Sequence, residues 1–294
     1  MTTDRTQGRA LAAVLASQLL FGLWPVVGTL VLARVPAPAL IGVRIGVSGP
    51  LLFLIARPWR ARMPLRDIAA CAGLSLLGVI ANQALFIEGL ARSTPINSAV
   101  LGTLIPVYTV LFAALLGREK VRALRLAGLG VAMAGALFLI GADRLELGPS
   151  RMLGNLLLVG NCAVYSAYLV LARPLFARYG AMAVIGWVFL FSVPGILPYA
   201  LPAMRTVDWN ALPWRVWAGL GYIVVGASIL PYTLNALGLK HLPASSVASF
   251  VYFQPVVTAL AAGIVLAQVP GAQVWLAALL IFVGVGLVTR SATA

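Results

Sequence analysis

The chain has 294 residues, of which 62% are hydrophobic and only 10% are charged, and its mean hydropathy is +1.01. A soluble domain carries roughly a quarter charged residues, so this balance excludes a water-soluble fold and describes an integral membrane protein. The net charge of +14 then reads as a set of topology signals beside apolar spans rather than a nucleic-acid surface. Two cysteines and a single histidine leave neither a disulfide framework nor a metal-ligand cluster, so no metal and no cofactor is expected.

A membrane-spanning helix needs about 20 mainly apolar residues. Cutting the sequence at its charged or proline-rich joints gives spans near 10–33, 39–56, 68–90, 95–116, 122–141, 152–173, 181–201, 213–239, 243–267 and 271–289. The first is too long an apolar run for a cleavable signal and is followed at once by another. It carries Ser17, Phe21 and Trp24 at helical spacing; in hydrocarbon the cheap face is aliphatic, so such a stripe turns toward protein or water. Span two places Arg44 about one turn inside. Span three carries Ser75 and Asn82, then Glu88 near its outer end. Arg44 and Glu88 are expected to snorkel outward or to pair with each other; Glu88 reads as an aqueous-rim or structural group, with a proton acceptor or substrate clamp as the alternative. Span four offers Asn97 and Tyr108 around Pro106. Span six offers Asn161, Tyr165 and Tyr168, span eight Ser228, Tyr232 and Asn235, and span nine Ser245, Ser249 and Tyr252 ahead of Pro255. Together these faces are candidates to line one wet, aromatic cavity. The competing reading at any single position is helix-helix glue for Ser and Asn, and an interfacial belt for the aromatics. Trp24, Tyr165 and Tyr168 lie too deep for a belt, whereas Trp187, Trp214, Trp217 and Trp275 sit near span ends and read as one.

Two segments are written alike: "TPINSAVLGTLIPVYT" at 94–109 and "PASSVASFVYFQPVVT" at 243–258. Adding 149 carries Gly89 to Gly238, Ala99 to Ala248, Pro106 to Pro255, Thr109 to Thr258 and Gly135 to Gly284; adding 144 carries Ser17 to Asn161, Ile41 to Ile185, Gly42 to Gly186 and Pro50 to Pro194. Each half then holds five spans, and because five is odd the second half enters the membrane the opposite way up. The expected fold is an all-α membrane protein of ten transmembrane helices in two inverted five-helix repeats, 9–141 and 152–290. Pro106 and Pro255 each remove a helical hydrogen bond and bend their helix, which makes them candidate hinges. Basic residues crowd the joints that lie on the same side as the N-terminus, so both termini are expected in the cytoplasm.

With these spans and the mid-helix proline in the fourth span of each unit ("LIPVYTVLFAALLGREKV", "FQPVVTALAAGIVLAQVP"), the chain resembles the drug/metabolite transporter superfamily in its EamA-type branch. The first unit ends that span on Arg118, Glu119 and Lys120, as the family does; the second departs from it, with Gln268 at the position of Glu119. The resemblance implies a secondary transporter working by alternating access, similar to exporters of aromatic amino acids, in a bacterial cytoplasmic (inner) membrane. Its expected partners are the bilayer and a neutral or zwitterionic small molecule with an apolar or aromatic side chain, since Arg44 alone is too little buried positive charge for strong anions. A channel or passive facilitator is the alternative. A membrane-embedded enzyme would need a catalytic constellation that the sequence lacks.

Overall fold

The computed structural model describes residues 2–140, 148–265 and 272–293, and among them every regular element is a helix and none is a strand. Helix is the form in which a single segment satisfies its own backbone polar groups in hydrocarbon. In chain order the elements are α1 (Thr2–Leu32), α2 (Ala37–Ala56), α3 (Leu65–Ser75), α4 (Asn82–Arg92), α5 (Pro95–Gly102), α6 (Leu104–Leu115) and α7 (Ala123–Ile140). They continue as α8 (Pro149–Tyr179), α9 (Ala181–Thr206), α10 (Trp214–Val224), α11 (Leu230–His241), α12 (Ala244–Ser249), α13 (Phe253–Val265) and α14 (Ala272–Thr293). A π-helical turn, Leu76–Ala81, joins α3 to α4 in one rod, and a second, Val225–Ile229, joins α10 to α11. Among the described residues six helices are long and apolar enough to cross a bilayer: Thr6–Leu32, Ala37–Ala56, Leu65–Arg92, Pro149–Tyr179, Ala181–Thr206 and Trp214–His241. Shorter apolar helices run over Val100–Leu115, Ala123–Phe138 and Trp275–Arg290.

The segments with the mid-helix prolines are broken rather than bent. Helices α5 and α6 part at Thr103, and a 3-10 turn, Phe250–Tyr252, separates α12 from α13. The cause lies three or four residues on. Pro106 and Pro255 have no N–H to offer the carbonyls of Gly102 and Val251, and their rings crowd those carbonyls, so the α-ladder lapses just ahead of each ring.

Helix α2 lies along α9 and α7 along α14, while α1 packs on α11 and α13, and α8 on α4 and α6. Between α7 and α14 the backbones nearly touch: a Cβ on Gly284 would stand 2.5 Å from the Ala132 amide and 2.6 Å from the Gly128 carbonyl. Glycine is the residue that permits this approach, the small-residue contact by which helices associate in lipid. Leu30, Leu54, Leu115, Leu156 and Phe282 stay exposed on the outside of the bundle, where acyl chains would cover them. Trp214, Trp217 and Trp275 are exposed as a belt requires. Trp187 is different, because its ring turns inward against Phe53 and Phe191, at centroid distances of 5.2 and 5.5 Å.

Candidate functional site

Helices from both ends of the sequence line a half-open cavity of about 80 Å³, room for several water molecules at roughly 10–15 Å³ each. Its wall takes Phe21, Trp24 and Pro25 from α1, Arg44 from α2, and Asn82, Gln83 and Phe86 from α4. Ser98 and Ile105, Asn161 and Tyr165 of α8, Tyr232 of α11, and Gln254 and Thr258 of α13 complete most of the rest. One wall is aromatic: Trp24 stacks on Phe86 at 6.1 Å, and Phe21 meets the edge of Tyr232 at 6.0 Å.

The π turns explain how polar groups come to be fixed here. A π turn shifts the backbone ladder and leaves carbonyls free for partners outside the helix. The Tyr232 hydroxyl donates to the Gly78 carbonyl of the first turn at 2.9 Å. Arg44 Nη2 donates to the Ala227 carbonyl of the second, and its Nε donates to Ser228 Oγ at 2.7 Å. Gly78 and Ala227 are 149 positions apart, as are Gln83 and Tyr232, whose side chains hydrogen-bond directly at 2.9 Å. Gln83 Nε2 also donates to Asn82 Oδ1 at 2.5 Å, and Asn161 Nδ2 donates to the Asn82 carbonyl at 2.8 Å. Behind this wall Ser17 Oγ donates to Asn235 Oδ1 at 2.7 Å, Asn235 Nδ2 donates to the Tyr165 hydroxyl at 3.1 Å, and Gln254 Nε2 donates to Gln18 Oε1 at 2.6 Å.

Of the residues singled out from the sequence, Phe21, Trp24, Arg44, Asn82, Asn161, Tyr165 and Tyr232 line this cavity, and Ser17 and Asn235 brace it from behind. Others lie elsewhere. Tyr168 stacks on Tyr165 at 6.0 Å but packs over Gly78, where a Cβ would stand 2.3 Å from its ring. Asn97 donates to Asn155 Oδ1 at 2.8 Å, Tyr108 stacks on Phe112 at 6.1 Å, and Ser249 donates to the Ser246 carbonyl at 2.8 Å. Tyr252 is fully buried in the 3-10 turn, and Pro106 and Pro255 are buried beside their breaks. The expected meeting of Arg44 and Glu88 does not occur, and Arg44 does not snorkel. Arg44 is 2% exposed because the freed Ala227 carbonyl draws its guanidinium inward. Glu88 pairs with Arg92 one turn on and accepts from the Tyr199 hydroxyl. Glu119 pairs with Arg125 at 2.7 Å and also accepts from Ser245 at the start of α12; Gln268 lies outside the described residues.

Gln83, Phe86, Gln254 and Thr258 are cavity residues that the sequence reading passed over. Thr258 repeats Thr109 in the 149-residue register, and its hydroxyl donates to the Gly22 carbonyl at 2.6 Å. That repeat was the one signal that pointed to it.

Apolar spans packed around a cavity lined by both aromatic and hydrogen-bonding side chains define a multi-pass membrane protein with room for a small solute. The chain belongs to the EamA-like transporter family, whose model matches residues 8–141 and again residues 152–290, and so to the drug/metabolite transporter superfamily. It is 24% identical over 270 residues to the uncharacterized transporter YetK of Bacillus subtilis (strain 168), covering 90% of this chain and 82% of that one. It is 29% identical over 253 residues to the probable terminal-alkyne amino-acid exporter of Streptantibioticus cattleyicolor, covering 84% of this chain and 82% of the relative. A solved crystal structure superposes with a TM-score of 0.76 at 22% identity, covering 97% of both chains, which speaks for the fold. The protein is a membrane transporter.

Proposed function

We propose that this transporter exports small amphipathic metabolites, aromatic or other neutral amino acids, by alternating access across a bacterial inner membrane, through ten spans arranged as two inverted repeats. The observation that carries the reading is the mixed lining of the cavity. Phe21, Trp24 and Phe86 offer flat apolar surface, and Asn82, Gln83, Asn161, Tyr165 and Tyr232 offer neutral hydrogen-bonding groups alongside Arg44. A neutral amino acid combines the same two kinds of surface, and the relative from Streptantibioticus cattleyicolor is named a probable terminal-alkyne amino-acid exporter.

The mechanism draws support from register. Residues 149 positions apart do equivalent work: Gly78 and Ala227 each surrender a carbonyl to a cross-helix donor, and the α-ladder lapses ahead of both Pro106 and Pro255. Paired elements of this kind around a central site let one half rock against the other. Purified protein in liposomes should take up radiolabelled L-phenylalanine saturably, with competition by other neutral amino acids and none by nucleosides or amphipathic cations. Uptake that rises linearly with concentration would speak for a channel, and competition by nucleosides or cations alone would remove the amino-acid reading.

A further inference from the structure

We propose that the cavity grips an amino-acid head group at both ends, the substrate carboxylate on Arg44 Nη1 and its ammonium on Gln83 Oε1. This rests on the amino-acid reading and says which groups would enforce it.

Arg44 and Gln83 are 2% and 5% exposed and both line the cavity. The guanidinium spends Nε on Ser228 and Nη2 on the Ala227 carbonyl, and it lies over the Trp24 ring, 4.8 Å from the centroid. Its Nη1 is buried with no partner. Among the described residues no carboxylate pairs with it: Asp67 binds Arg178 and Tyr179, Glu88 binds Arg92 and Tyr199, Glu119 binds Arg125 and Ser245, and Asp208 caps the turn at Trp209–Ala211. An arginine keeps its charge in proteins, and a buried charge with a donor to spare is costly unless something pairs with it. A carboxylate fits the planar donor edge best.

Gln83 supplies the opposite sign. Its Nε2 is tied to Asn82 Oδ1 and to the Tyr232 hydroxyl, which sets the amide's orientation and leaves Oε1 as the free end. Oε1 is buried without a partner. It is an acceptor and nothing else, so it suits an ammonium. The two groups are anchored to one rod, Arg44 through Ser228 and Gln83 through Tyr232. A zwitterionic head would give each group its partner, a carboxylate on the donor and an ammonium on the acceptor, with the Trp24 and Phe86 rings in the same lining for the side chain. A plain amine would leave Arg44 unpaired, and a plain carboxylate would leave Gln83 unpaired.

The test is counterflow in proteoliposomes, with labelled L-leucine, L-threonine or L-phenylalanine as the carried solute. Competitors are L-phenylalanine, L-phenylalaninamide, which lacks the carboxylate, and 3-phenylpropanoate, which lacks the ammonium. Both analogues should inhibit at least about a hundredfold more weakly than phenylalanine, as expected of a site built to pair buried polar groups. Arg44→Gln should erase the discrimination against the amide, and Gln83→Leu the discrimination against the propanoate. The wild-type series decides the matter even if a variant fails to elute as a monodisperse protein. If the amino acids are carried and the amide inhibits as well as phenylalanine, the carboxylate grip is overturned while the export reading survives; equal inhibition by the propanoate overturns the ammonium contact in the same way. If none of the three amino acids is carried, both the grip and the reading it rests on are overturned.

Discussion

Trp24 sits between a cation and another ring, with Arg44 over its face and Phe86 stacked beside it. Contacts of these kinds are worth about 0.5–1.5 kcal/mol each, so Trp24→Ala should raise the half-saturating concentration for phenylalanine roughly three- to tenfold and that for alanine much less. Michaelis curves for the two solutes check this, and an equal rise for both would make the ring a packing element. Tyr232→Phe removes the donor to Gly78 and a partner of Gln83. Polar contacts between membrane helices average about 0.6 kcal/mol, so the variant should fold normally while transporting severalfold less well, measured against its thermal stability in detergent. At this scale the candidate site was legible where polar and aromatic residues recur on one helical face, as Ser17, Phe21 and Trp24 do. Gln83 and Gln254 belong to no such stripe, and a lone glutamine in an apolar run has no period to betray it. Tyr168 shares the periodicity of Tyr165, yet a glycine across the interface gives its ring a packing berth instead. Periodicity names a face and cannot say which neighbour will cover it.

The breaks ahead of Pro106 and Pro255 are the clearest mechanical feature among the elements. Replacing either proline by alanine returns an N–H to the ladder and stiffens the joint, so each variant should bind substrate with unchanged affinity and turn over severalfold more slowly. Equilibrium binding together with single-turnover efflux separates the two effects, and wild-type turnover in both variants would make the prolines purely architectural. At the α7–α14 contact Gly284→Leu would drive a side chain into the Ala132 and Gly128 backbones. Overpacking of this kind costs about 1–3 kcal/mol, and the melting temperature in detergent should fall by roughly 3–10 °C. The long apolar helices were legible because length and composition alone dictate them in hydrocarbon. The π turns at Leu76–Ala81 and Val225–Ile229 were not, because a single shifted backbone bond leaves no trace in hydropathy; only the shared 149-residue register shows that the two turns correspond.

For the molecule as a whole, the basic joints predict that both termini face the cytoplasm, and single cysteines test it, since the native Cys71 and Cys162 are buried. A thiol placed at the exposed Arg60 should react with an impermeant reagent only from the cytoplasmic side, and one at the exposed Asn210 only from outside; the reverse pattern would invert the topology. In the proposed mechanism two paired halves carry one small amino acid at a time past a shared cavity. Trans-stimulation tests it most directly: proteoliposomes preloaded with unlabelled L-phenylalanine should take up labelled L-phenylalanine faster than empty ones and transiently above equilibrium, because a carrier that returns loaded exchanges solute across the membrane. Labelled uptake that is indifferent to the internal amino acid and does not saturate would contradict alternating access and describe a pore.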